Sequence, residues 1–405
     1  MTFPQKTIYV TRDIERALGL PKETPNFFIV TNTSALAASR NDIYTIEHET
    51  TLDTYELLGH EKMKEIMALH PGAHIMVFKN TQMIEKICAN NNWPLLNPSA
   101  VLAAQVEEKI SQVAWLDELA AFLPPHYICK TKEIVWQGTP CILQYNRAHT
   151  GSGTHYIDSL ETLETLQRTF PERDARVTAF IPGPVITSNN IVTQTKTLRG
   201  NINYQITGLA PFTDNPFATI GNDWKLPSLL LSNKAAKQYD AMVDAIGTKL
   251  RASGWKGLFG IDVIYHIEED TLYLLEINAR QPASTTYEST LQIGTHTNTH
   301  IGKISTFEAH VLSLFGESLD EYALLAIDTG AQILVRVPGN GERNKQRETY
   351  IVEEVKKLGC HVLVYTNDTP GSDWIRIQST ASFMHAHTTF NELGNNIKKI
   401  VDTQI

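Results

Sequence analysis

Cysteine is scarce in this sequence. Four thiols occur in 405 residues, Cys88, Cys129, Cys141 and Cys360, and no two form a C-x-x-C pair. That excludes a disulfide framework or a cysteine zinc site and predicts reduced, buried thiols. Long apolar runs are missing too, since no stretch approaches the roughly 18 residues needed to span a bilayer. Met1–Asp13 mixes polar and charged residues and lacks the apolar core of a signal peptide. These absences predict a cytoplasmic protein with no membrane partner. Basic charge is also in deficit. Lys and Arg number 35 against 44 Asp and Glu, a net charge of −9, so bulk electrostatics give no hold on nucleic acid. Neither G-x-G-x-x-G nor G-K-[ST] occurs, which excludes the dinucleotide fingerprint and the Walker A loop.

What is present is an ordinary globular composition. With 42% hydrophobic and 20% charged residues, the chain can bury a sizeable core, and its length allows two to four domains. In the N-terminal part, apolar runs at Asn26–Asn32, Ile43–Ile46 and His74–Lys79 predict strands. Helical spacing predicts helices over Thr54–Leu69 and Gln82–Asn91. That alternation predicts a parallel, Rossmann-like sheet. Ser99–Phe122 reads as a long helical stretch with one break, N-capped by Ser99 and stopped by Pro124-Pro125. The texture then changes. Strands in mostly antiparallel order are predicted at Cys141–Tyr145, Thr154–Ile157, Arg176–Ile181, Asn189–Lys196 and Ile202–Leu209. Ser232–Ser253 is a strongly amphipathic helix ended by Gly254.

The most informative stretch is GLFGIDVIYHIEEDTLYLLEINARQP, Gly257–Pro282. Two strands, Leu258–Tyr265 and Leu272–Asn278, flank the acidic turn Glu268–Asp270 and predict a hairpin. Folding there brings Asp262 beside Glu276 and Asn278, which share one strand face. Two carboxylates and an amide oxygen are hard donors suited to Mg²⁺. Arg280, a further two residues on, faces the same way and offers a guanidinium to phosphate or carboxylate. A surface hairpin with scattered polar residues is the plainer alternative. It accounts for Glu268–Asp270 but poorly for Glu276-x-Asn278-x-Arg280, which follows an apolar run.

This G-x-D-V-I … L-Y-L-L-E-I-N-A-R pattern resembles the ATP-grasp superfamily, which includes D-alanine–D-alanine ligase and biotin carboxylase. The resemblance is specific over Gly254–Pro282 and keeps the family's order from about Glu107 to Thr306. It implies that Asp262, Glu276 and Asn278 hold Mg²⁺ (or Mn²⁺) and that Arg280 faces the transferring phosphate or the acid. By the same resemblance Thr150, Gly151, Ser152, Gly153 and Thr154 (TGSGT) form the glycine-rich loop that covers ATP phosphates. Taken by itself, a G-S-G turn is a common flexible connection. Lys109 fits an upstream lysine of the family, although it also reads as a solvated helix residue. The lysine usual on the strand before the loop is replaced by Gln144, with Arg147 nearby to restore charge. Phe180 and Ile181, in RVTAFIPG, match the hinge strand whose backbone reads adenine, with Thr178-Ala179 where an acidic residue is common.

Other features weigh less. His296 and His300 have metal-ligand spacing but lie in a poor helix former, part of a predicted loop or lid over Ala283–Gly302. Lys256 precedes the hairpin and reads as a solvated lysine or as a cation for phosphate, and Trp93, Trp115, Trp224 and Trp255 read as packing residues. Ser152 has no Asp/His partners nearby in the sequence. Phe307–Phe315 and Thr389–Ile400 predict helices, and strands are expected near Ala331–Val337, Val362–Tyr365 and Trp374–Ile377.

The resemblance implies an α/β architecture: a pre-ATP-grasp Rossmann-like domain over residues 1–105, a two-lobed ATP-grasp region over 106–315 and a small α/β cap over 316–405. The implied activity is an ADP-forming ligase that activates a carboxylate as an acyl phosphate for attack by an amine, itself an amino acid or peptide-like nucleophile. Two alternatives stay open, a carboxylase using bicarbonate and a non-catalytic nucleotide-binding regulator. The implied partners are ATP, a small carboxylate and an amine. Many relatives are homodimers, although the sequence carries no sign of an interface.

Overall fold

The computed structural model describes residues 3–34, 36–37, 40–146, 153–295, 301–339, 343–366 and 369–403. Its N-terminal unit is a parallel four-stranded sheet in the order Ile43–Ile46, Phe27–Asn32, Thr7–Val10, His74–Met76. The central strand Thr7–Val10 is fully buried and lies inside the segment that reads as polar in the sequence. Its four residues are too few for a pattern to show. Helices Thr54–Gly59 and Glu61–Leu69 replace the single expected helix. The break falls at His60, whose extended backbone caps the second helix through its own side chain.

The helical stretch after Ser99 breaks at Glu108, giving Ala100–Glu107 and Lys109–Leu116. The predicted Ser99 cap forms, its side chain accepting from Val101 N. An antiparallel sheet follows, in the order His126–Lys130, Asp174–Ala179, Cys141–Tyr145, Thr154–Ile157. Helix Leu160–Thr169 covers it, packing Leu163 and Leu166 against Leu143, Tyr145 and Val177.

Among the described residues the largest sheet has nine antiparallel strands. From one edge it runs Thr271–Asn278, Gly257–His266, Val185–Val192, Asn203–Thr207, Thr219–Asp223, Ala331–Arg336, Asp373–Ser379 and His361–Val364, with Thr197–Leu198 paired to Val185–Val192. Strands from the last ninety residues therefore extend the sheet that carries the hairpin. Helix Asn233–Ala252 packs on one face of it. Ala235, Tyr239, Met242, Val243, Ile246 and Leu250 recur at helical spacing and are all buried. Each large side chain of this kind contributes about 1.5–3 kcal/mol by leaving water. Ser232 caps the helix start, and Gly254 leaves it at φ +86°, where a side chain would be strained.

One expectation is corrected here. The predicted loop over Ala283–Gly302 contains a helix, Thr285–Thr295. It escapes apolar periodicity because its buried face is polar. Glu288, Ser289 and Gln292 point inward with Tyr287 and Leu291. Glu288 accepts from Asn189 Nδ2 at 2.6 Å and Thr306 Oγ1 at 2.7 Å. His296 and His300 lie outside the described residues.

Candidate active site

The hairpin folds as the sequence predicts, and its register sets the site. Asp262 stands directly opposite Glu276, and Gly260 opposite Asn278. Asn278 Nδ2 donates to Asp262 Oδ2 at 3.2 Å, which leaves its carbonyl oxygen for a ligand. Among the described residues no three His, Cys, Asp or Glu side chains gather as a metal cluster. Two carboxylates with an amide oxygen nevertheless match Mg²⁺, which takes few protein ligands and completes its shell with water and phosphate.

The two carboxylates differ sharply. Burial, and then the neighbouring Glu276 charge, push the Asp262 pKa up to about 7. Burial acts on Glu276 in the same sense, but Lys109, Asp262 and Arg280 outweigh it and hold Glu276 well below the usual carboxylate range. Lys109 opens its helix with the ammonium paired to Glu276, and Glu276 remains a third exposed at 34%. Arg280 pairs with Glu107 at the end of the preceding helix, and Lys79 reaches the same Glu107 at 2.7 Å. Burial opposes the Arg280 charge, yet Glu107 and Glu276 raise its pKa. The two short helices thus deliver alternating charges to the hairpin.

Gln144 lies on the strand before the glycine-rich segment, opposite Arg176 on the adjacent strand. Arg176 is 1% exposed and donates to Gln144 Oε1 from Nε at 3.1 Å and Nη2 at 2.7 Å. It also donates to Gln112 Oε1 and to the carbonyl of Leu275, beside Glu276. Burial lowers its pKa to about 10, so it stays charged at neutral pH. A cation therefore stands next to Gln144 on the neighbouring strand. Sequence reading passed over Arg176 because strand pairing, not sequence distance, brings the two together.

Tyr145 N donates to Gly153 O at 2.9 Å, which extends the pairing of Cys141–Tyr145 with Thr154–Ile157 by one bond. Gly153 and Thr154 are described, whereas Arg147, Thr150, Gly151 and Ser152 lie outside the described residues. The hinge strand ends at Ala179, so Phe180 and Ile181 follow it rather than belong to it. The Phe180 ring meets Tyr156 at 4.8 Å, and Tyr156 meets Phe217 at 5.9 Å. Lys256 does not reach the hairpin carboxylates; its ammonium donates to the carbonyl of Leu314.

One further feature has no counterpart in the sequence reading. Asp262 pairs across the sheet with Thr187, Thr187 with Asn203, and Gln205 with Asn222. Asn222 pairs in turn with Gln332, and Gln332 with Gln378. Direct partners share a face, as do residues two apart. A polar row thus crosses the sheet from Glu276 to Gln378 and Arg376. Hydrogen bonds knit it, with Asn222 Nδ2 to Asn203 Oδ1 at 2.8 Å and Gln332 Nε2 to Asn222 Oδ1 at 2.9 Å.

This arrangement of parallel N-terminal sheet, small antiparallel lobe and large antiparallel sheet is the ATP-grasp fold. Solved structures match it over nearly the whole chain. N5-carboxyaminoimidazole synthetase from Staphylococcus aureus aligns with a TM-score of 0.66 at 11% identity, covering 100% of this chain and 99% of that one. N5-carboxyaminoimidazole synthase from Aspergillus clavatus, in complex with ADP and its aminoimidazole ribonucleotide, aligns at 0.64 and 12% identity, covering 98% of each chain. An L-amino acid ligase from Bacillus licheniformis aligns at 0.61 and 13% identity, covering 98% and 97%. No family model matches the chain, and no curated protein matches its sequence.

Proposed function

We propose that this protein is an ATP-dependent carboxylate–amine ligase that forms an acyl phosphate and releases ADP and phosphate. The observation that carries the reading is the pairing of Asp262 with Glu276 across the hairpin, with Asn278 alongside and Lys109 and Arg280 facing the same carboxylate. A free carboxylate resists amines at neutral pH. Phosphorylation by ATP supplies a leaving group, and the protein's task is positioning and charge neutralisation. Asp262, Glu276 and Asn278 would hold Mg²⁺ or Mn²⁺, which neutralises phosphate oxygens when bound. Lys109 and Arg280 supply cations for the phosphates and for the charge of the transferring group. Arg176 places a further positive charge on Gln144, in the strand that leads to the glycine-rich segment. By the resemblance, Gly151–Gly153 would cover the phosphates, and backbone near Phe180 and Ile181 would read the base.

In this reading residues 1–105 form the pre-ATP-grasp domain, 106–315 the ATP-grasp region and 316–405 a cap that lends strands to its sheet. No described helix is long and apolar enough to cross a membrane, and the four cysteines are unpaired. We place the reaction in the cytoplasm.

ATP turnover with Mg²⁺ against pooled amino acids and small carboxylic acids tests the proposal. ADP should appear only with the right acid, and Glu276→Ala should abolish it. The likeness to the N5-carboxyaminoimidazole synthases favours bicarbonate as a second candidate acid, and incorporation of labelled bicarbonate distinguishes it. Nucleotide binding without turnover under every acid would favour the regulatory reading.

A further inference from the structure

Just past Arg280 the chain is fastened to the N-terminal unit. Gln281 N donates to Phe78 O at 3.0 Å. The Gln281 side chain is buried, with Nε2 donating to Arg16 O and Oε1 accepting from the Tyr9 hydroxyl, both at 2.7 Å. The junction lies just beyond the carboxyl end of strand His74–Met76, the end of a parallel sheet where ligands bind. The backbone bond between Phe78 and Gln281 makes neighbours of Lys79 and Arg280, and both reach one carboxylate. Glu107 accepts from Lys79 Nζ through Oε2 at 2.7 Å and from Arg280 through Oε1.

Two features set this trio apart from an ordinary ion pair between units. The first is charge. One carboxylate stands between two cations, and Glu276, also near Arg280, has its own cation in Lys109. Each oxygen of Glu107 takes a separate cation, as the oxygens of a bound acid or phosphate do. The Lys79 and Arg280 side chains stay 41% and 30% exposed, so both cations are open to a ligand. The second is a small cavity of about 10 Å³ lined by Arg280 together with Asn80, Lys256, Gln281 and His310. Among the described residues no Asp or Glu lines it. His310 Nδ1 accepts from Leu258 N at 3.1 Å, so its proton sits on Nε2. That N–H and Asn80 Oδ1 are buried without a hydrogen-bond partner among the described residues. Unpaired buried polar atoms cost about 1–3 kcal/mol each and are rare in purely structural contacts. Arg280 thus stands among cations and donors, with Glu107 as the anion that holds it.

We propose that Lys79 joins Arg280 as a two-cation seat for the transferring phosphoryl group, and that Glu107 is an internal stand-in displaced when that group arrives; this rests on the ligase reading above. The test is equilibrium dialysis of ³²P-labelled inorganic phosphate against the full chain with Mg²⁺ and ADP, with labelled ADP dialysed in parallel. Removing the stand-in should tighten phosphate, so Glu107→Gln should lower its Kd about tenfold. Lys79→Gln should raise that Kd about threefold, the size of a half-exposed ion pair, and Lys79→Arg should restore it. If Glu107 is only a strut, Glu107→Gln loosens Arg280 and weakens phosphate, and that opposite sign overturns the proposal. So does a phosphate Kd that neither variant moves. If Glu107→Gln does not fold, the Lys79 variants decide: a lowered unfolding midpoint with an unchanged phosphate Kd overturns the proposal. A parent protein and Glu107→Gln that bind ADP but hold no phosphate also overturn it and leave the ligase reading standing. Failure of ADP to bind the parent removes the ligase reading and this proposal with it.

Discussion

The Lys109 ammonium forms an ion pair with the Glu276 carboxylate across 167 positions of chain. The cation expected to meet ATP phosphates thus rests on a residue expected to hold the metal. In the proposed ligase each would neutralise the other until nucleotide and metal arrive together. Lys109→Gln should therefore have effects of opposite sign. Mn²⁺ affinity without nucleotide should rise about tenfold, as one charge-assisted pair is lost, and KM for ATP should rise by a similar factor. Electron paramagnetic resonance of free Mn²⁺ and steady-state kinetics read the two; a fall in both affinities contradicts the pairing argument.

Gln144 is where the resemblance leads one to expect lysine, and restoring that lysine should harm the protein. The new ammonium would stand against the buried Arg176 guanidinium and remove its acceptor. Loss of hydrogen bonding to a buried charge costs about 1.5–3 kcal/mol. Urea unfolding of Gln144→Lys should show at least that loss, with no gain in ATP affinity. A stable variant that binds ATP more tightly would show that Arg176 does not substitute for the lysine.

Glu288 makes stability fall as pH rises. Burial pushes its pKa up to about 7 despite the hydrogen bonds from Thr306 and Asn189. With a folded pKa above the unfolded value of about 4.3, the folded state binds more protons between the two. The contribution is full below the unfolded pKa and is lost as pH rises through about 7. The difference in unfolding free energy between the parent and Glu288→Gln should change by on the order of 3 kcal/mol over that window. A difference flat from pH 4.5 to 8 sinks this assignment.

Gly183, between the hinge strand and Val185–Val192, has φ +152°, and a Cβ there would meet Tyr265 O at 2.0 Å. Gly183→Ala should lower stability by roughly 2 kcal/mol or more through backbone clash and strain. Chemical denaturation measures this, and an unchanged midpoint would mean that the hinge relaxes freely.

Local pattern carried much of the fold. The 3.6 spacing of Tyr239, Val243, Ile246 and Leu250 and the cap at Ser232 specify their helix directly. The alternation around Asp262 and Glu276 likewise fixes which side chains meet across the hairpin. What escaped reading depends on distant pairing. Arg176 meets Gln144 through strand register, Arg280 meets Glu107 across 173 positions, and the row from Thr187 to Gln332 exists only once strands from across the chain are ordered in one sheet. Helix Thr285–Thr295 was hidden for a different reason, its inward face being polar. Strand Thr7–Val10 was too short to stand out from its polar flanks.

The most direct test of the central claim follows oxygen. Carboxyl-¹⁸O-labelled acids, supplied as a pool with an amine pool, ATP and Mg²⁺, should pass one ¹⁸O per turnover into inorganic phosphate, with ADP as the other product. Asp262→Asn and Glu276→Ala should each remove that transfer. AMP with pyrophosphate, or ADP and unlabelled phosphate formed at the same rate without any acid, would contradict an acyl-phosphate ligase.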